Sequence, residues 1–112
     1  MKTILTDIIP TTARQAFKIL DSLLTDEEKL TALTKTRSDF ACDEHFCLGA
    51  WIRNNWIFGP EMESEEEADR RDACLEMLTA TQKGDLIIVE PDWISSQFLG
   101  RYYDHLKRTA KL

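Results

Sequence analysis

The sequence predicts an all-α fold, a compact bundle of about five helices in one domain running over residues 1–112. Three observations predict it. Apolar side chains recur at three- and four-residue intervals along most of the chain. At three places a Ser or Thr stands three residues ahead of a Glu or Gln, which is how a capped helix begins: Thr12–Gln15, Thr25–Glu28 and Ser64–Glu67. Only four glycines and three prolines are present, too few for a turn-rich all-β fold.

Taken in order, the first helix follows Thr12 and places Ala13, Ala16, Phe17, Leu20, Leu23 and Leu24 on one face, with Lys18 and Asp21 off it. Thr25 restarts the chain as a short helix carrying Leu30 and Leu33. "TKTRSDF", residues 34 to 40, loses the periodicity and reads as a connection. A third helix is expected from about Asp43 through Phe46, Leu48, Trp51 and Ile52. Being apolar all round, it should be the central, most buried one. Gly49 gives a neighbouring helix room to approach, Asn55 suits a left-handed closing position, and Gly59-Pro60 prevents continuation.

From Ser64 a fourth helix should reach Lys83, with Ala68, Leu75 and Leu78 inward, Cys74 and Met77 flanking, and Gly84 as terminator. "LIIV", Leu86 to Val89, is β-branched. It pairs with residues 3–9 as a minor two-stranded ribbon, or it is a buried extended connection; the sequence allows both. Pro91 and Asp92 suit the first turn of the last helix. Its inward stripe is Ile94, Phe98, Tyr102 and Leu106, and Lys107, Arg108 and Lys111 suit its C-terminal end.

Charge and thiols bound the function. Twenty acidic against fourteen basic residues leave a net charge of −6. Duplex nucleic acid needs a basic face that displaces counterions, and no such Lys/Arg cluster stands in the sequence. An anionic membrane repels the chain for the same reason, and no stretch approaches the roughly 18 apolar residues of a span. Asp7 and Pro10 interrupt the first apolar run before it reaches the length of a secretory leader. With three cysteines, an odd number, reduced thiols in a cytoplasm are the expectation.

No metal, cofactor or catalytic set is assigned. Cys42, His45 and Cys47 lack the paired short spacing of zinc ligands, and the thiols read as buried and structural. Neither Cys47 nor Cys74 has an activating neighbour in sequence. Scattered glycines cannot cradle a phosphate. The run "PEMESEEEADRRD" supplies Glu61, Glu63, Glu65, Glu66 and Glu67. Carboxylates in a helix's first turn are favoured by the dipole. The same carboxylates make a steering patch for a basic protein partner.

Arg53 falls in the last turn of its expected helix and needs a full set of partners if buried. Asp92 is the expected partner, so that Arg53, Asn55 and Asp92 form a structural polar cluster. Alternatively Arg53, Asn54 and Trp56 anchor a partner, these residue types being at home in binding hot spots.

At these residues the chain resembles a family of small bacterial proteins classified only as a domain of unknown function. The resemblance rests on Pro10-Thr11, "LTDEEK" (Leu24 to Lys29), "LGAWIRNNW" (Leu48 to Trp56) and "PDWIS" (Pro91 to Ser95). Ile57-Phe58-Gly59 and Trp93 depart from the family pattern, which tends to Leu-Trp and a second Asp there. The resemblance implies a helical fold and brings no activity with it.

The functional expectation is therefore a small, acidic, non-enzymatic protein-binding module of the inhibitor kind, like an immunity protein, an antitoxin or a phage anti-defence protein. A small-ligand or enzymatic site around Arg53, Asn54, Asn55 and Asp92 is the alternative. Self-association through Trp93, Tyr103 and Phe58 is a further option, giving a homodimer.

Overall fold

Thr12, Thr25, Thr36 and Ser64 open four helices by one device. Each hydroxyl accepts the backbone N–H three residues on, from Gln15, Glu28, Asp39 and Glu67, at 3.1 to 3.2 Å. Such a cap contributes about 1 kcal/mol. Thr25 and Glu28 complete a reciprocal box, because Glu28 Oε1 accepts the Thr25 N–H at 2.8 Å. Gln15 reaches one residue further back than the box requires and accepts the Thr11 N–H at 2.9 Å.

In this computed structural model the described residues are 9–58, 64–79 and 90–109. Among them the chain is all-α, with helices α1 (Ala13–Leu23), α2 (Asp26–Ala32), α3 (Arg37–Asp43), α4 (Leu48–Ile52), α5 (Glu65–Leu78) and α6 (Pro91–Thr109). A π-helical segment, Arg53–Phe58, continues α4 directly. The expected ribbon of residues 3–9 and 86–89 falls, apart from Ile9, outside the described residues, as do Glu61, Met62, Glu63, Lys83, Gly84 and Lys111.

The core is built around α6, not around the segment at Trp51. Ile94, Phe98, Leu99, Tyr102, Tyr103 and Leu106 are all buried, on more than one side of that helix. Phe17 of α1 stacks on Phe98 at 5.4 Å, Phe40 of α3 meets Tyr103 at 5.7 Å, and Trp56 meets Phe98 edge-on at 6.0 Å. The last helix is central because its 19 residues are long enough to touch α3, α4, α5 and the π segment in turn.

Three further expectations are corrected. Residues 37–43 are helical, not a connection: Thr36 caps them and Phe40, the one large apolar side chain there, turns fully inward. The expected helix from Asp43 is broken by a turn over 44–47, and Phe46 stands 83% exposed at that turn. In α5 the inward face is Cys74, Met77 and Leu78, while Ala68 and Leu75 are half-buried.

Candidate functional site

Trp51 and Trp56 lie five apart, which on an α-helix points them about 140° away from each other. The π segment hydrogen-bonds at i→i+5 spacing and so returns position five to the same side. The two indoles meet edge-on at 5.3 Å, with Trp56 buried and Trp51 half-buried. Asn55 supports the widening: its Nδ2 donates to the Trp51 carbonyl at 2.9 Å, where α spacing gives way to π. That explains Asn55, one of the two amides between the tryptophans. Asn54 and Phe58 face solvent, and Phe58 is 60% exposed.

The same segment aims Arg53 back across Gly49. Arg53 Nη1 donates to Ser95 Oγ at 3.0 Å, Nη2 donates to the His45 carbonyl at 3.0 Å, and Nε lies 3.4 Å from Asp92 Oδ1. Ser95 is fully buried and donates its own proton to the Asp92 carbonyl at 3.1 Å. One guanidinium therefore joins the 44–47 turn, the π segment and the first turn of α6. Gly49 is what leaves it room: a Cβ there stands 3.1 Å from Arg53 Nη1 and 3.2 Å from the Glu44 carbonyl oxygen.

The expected pair of Arg53 and Asp92 is thus brought together. Ser95 and the His45 carbonyl are additional partners. Asn55 bonds Trp51 and joins neither member of the pair. Arg53 has only 12% of its side chain exposed and Trp56 is 1% exposed, so neither is placed to anchor a partner from the surface. Tyr103 is likewise internal, its phenol donating to the Lys35 carbonyl. Glu65 and Glu66 are exposed in the first turn of α5, Glu66 accepts from Arg70 at 3.0 Å, and Glu67 is half-buried. Trp56 Nε1, with Arg71 Nε and Nη1, is buried without a hydrogen-bond partner among the described residues.

A second polar cluster has no trace in the sequence pattern. Asp21 accepts from the Tyr102 phenol at 2.7 Å and lies 3.1 Å from His105 Nε2, joining positions 84 apart in the chain. The His105 ring stacks on Phe17 at 4.7 Å. Burial first, then the hydrogen bond to Asp21, pushes the Tyr102 phenol well above its ordinary range, so it stays a neutral donor. No cysteine or serine is hydrogen-bonded to His105 among the described residues. Cys42 and Cys47 are exposed, not buried as expected, because they lie at the end of α3 and in the 44–47 turn. Cys74 is buried, and burial pushes its thiol up to about 12, which keeps it protonated and unreactive. No group of three metal-ligating side chains occurs among the described residues.

An open groove of about 620 Å³ runs between α2, α3 and α4. Leu24, Phe40 and Trp51 form its floor, and Glu27, Glu28 and Glu44 edge it. No described helix is long and apolar enough to cross a membrane.

A family model, Domain of unknown function (DUF6794), matches residues 9–68, more than half of the chain, and the chain belongs to that family. The matched stretch carries Arg53 and the whole lining of the groove, while Asp92 and Ser95 lie beyond it. No curated protein and no solved structure matches the chain.

Proposed function

We propose that this member of the family is a small acidic protein-binding module of bacterial or phage origin, acting without catalysis in the cytoplasm by occupying the surface of a basic partner. The observation that carries the reading is where the charge sits. Lys29, Lys35, Arg37, Arg53 and Arg70 are each paired with a carboxylate of the same chain. The first turns of α2 and α5 meanwhile present Asp26, Glu27, Glu28, Glu65 and Glu66 to solvent. Asp26 and Glu66 are themselves the partners of Lys29 and Arg70, so Glu27, Glu28 and Glu65 are the first-turn carboxylates exposed without an ion pair among the described residues. With the net charge of −6 they give a field that selects basic surfaces and speeds their association. With Arg53 engaged on three sides, the alternative small-ligand site at Arg53, Asn54, Asn55 and Asp92 has no free cation to offer.

Affinity capture from the native host at low and high salt tests the reading, with E65K/E66K/E67K alongside. A basic partner retained at low salt, released by salt and weakened by the reversals supports it. Capture indifferent to both salt and charge reversal removes the electrostatic basis.

A further inference from the structure

The groove between α2, α3 and α4 carries an inference that rests on the protein-binding reading and makes it specific. Its floor is apolar: Trp51 and Leu24 are half-exposed there, with Phe40 beneath them. Its edges are acidic from two directions. Glu27 and Glu28 come from the first turn of α2, and Glu44 comes from the turn after α3. Glu44 is fixed by a hydrogen bond from the Leu48 N–H at 3.4 Å and Glu28 by the capping box, so both carboxylates are pre-positioned.

Lys35 is the one cation on the lining among the described residues, and Asp43 already neutralises it at 2.9 Å. Its ammonium is held above the ordinary lysine range by the hydrogen bond to Asp43 and then by the charges of Asp43, Glu44 and Asp39, against the opposing effect of desolvation. The field along that edge is therefore negative even beside a lysine. Three carboxylates outside any ion pair among the described residues, over an apolar floor, complement an occupant that is apolar on one side and cationic on its flanks.

The occupant's backbone follows from the walls. Strand addition needs a sheet edge with free N–H and C=O groups, and no strand occurs among the described residues. A groove between helices accepts a helix, with apolar residues at i, i+3, i+4 and i+7 turned into it. We propose that this groove receives a cationic amphipathic helix of a partner protein, its apolar residues on Leu24, Phe40 and Trp51 and its lysines or arginines against Glu27, Glu28 and Glu44.

The test uses the full chain with two labelled helical peptides of the same leucine pattern, one with lysine flanks and one with glutamate flanks. Thr31 is exposed on the groove lining, and its hydroxyl makes no hydrogen bond among the described residues, so Thr31→Trp fills the groove from the solvent side without opening the core. Glu27 is exposed and unpaired among the described residues, so Glu27→Lys changes charge alone.

Fluorescence anisotropy should show the lysine peptide binding and the glutamate peptide binding at least about tenfold more weakly. T31W should weaken the lysine peptide by about tenfold or more, and E27K by a few-fold with a shallower salt dependence. Glu76→Gln, on α5 and outside the groove, should leave the peptide's affinity unchanged, and NMR shifts should cluster at Leu24, Thr31 and the Trp51 indole. Equal binding of the two peptides, or binding that ignores both T31W and E27K, overturns the proposal. A native partner whose capture depends on Glu65 and Glu66 but not on T31W or E27K preserves the protein-binding reading and overturns the groove.

Discussion

Two arginines lie over two glycines in this molecule, and they do different work. Arg53 crosses Gly49 and pairs with Asp92; Arg37 crosses Gly100 and pairs with Asp104, its Nε lying 3.2 and 3.3 Å from the two carboxylate oxygens. Both acids belong to α6, near its two ends. Arg53, though, is 12% exposed with three partner residues in two other segments, whereas Arg37 is 50% exposed with one partner among the described residues. A shared motif, an arginine laid over a glycine, is an internal joint in one place and a surface latch in the other. Burial and the number of partners make the difference, because desolvated donors must be satisfied and solvated ones have water in reserve.

Four substitutions separate the two sites. Arg53→Ala should be the most damaging, costing about 3 kcal/mol in chemical denaturation, since it removes the donor to the Ser95 oxygen and the His45 carbonyl, and the cation beside Asp92, at a largely buried joint. Gly49→Ala comes next, at about 1 to 2 kcal/mol. The new methyl presses on a guanidinium held on three sides and on the Glu44 backbone oxygen, and the gain in helix propensity only partly offsets this.

Arg37→Ala should cost less than about 1 kcal/mol, and raising salt should shrink that further. Gly100→Ala should be the mildest, within about 0.5 kcal/mol of the parent in either direction. Its Cβ meets the Arg37 guanidinium at 2.6 to 2.8 Å, but that is the free end of a flexible chain and can swing into water, while alanine favours the helix. If Gly49→Ala and Gly100→Ala prove equally harmful, burial is not what distinguishes the sites.

Much of this was legible in the sequence, and the failures have physical causes. The caps at Thr12, Thr25 and Ser64 are local chemistry and were readable. So was the Ile94, Phe98, Tyr102 and Leu106 stripe. Helix α3 escaped because one buried residue, Phe40, makes no period; its one local signal was Thr36 placed to cap Asp39. Arg53 with Asp92 was anticipated because helix-end chemistry suggests it. Ser95 was not singled out, since nothing in sequence separates a buried serine from an exposed one. Asp21 with His105 and Tyr102 depends on how α1 lies against α6, which no local pattern encodes. The groove was invisible for the same reason: its acids and its floor meet only in three dimensions.

The six residues from Arg53 to Phe58 also act as a clutch. An α-helix advances about 100° per residue, and each hydrogen-bonded ring of a π segment holds one residue more than an α ring. That extra residue rotates the rest of the segment to Phe58 relative to α4, which is how Trp56 comes to face Phe98 while Phe58 stays outside. Excising Asn54 therefore differs in kind from mutating it. Substitution changes one exposed side chain, whereas excision slips the gearing by a residue and turns Trp56 away from its seat against Trp51 and Phe98. At this point of the chain, the count of residues governs which ring is inside more than the identity of the one removed.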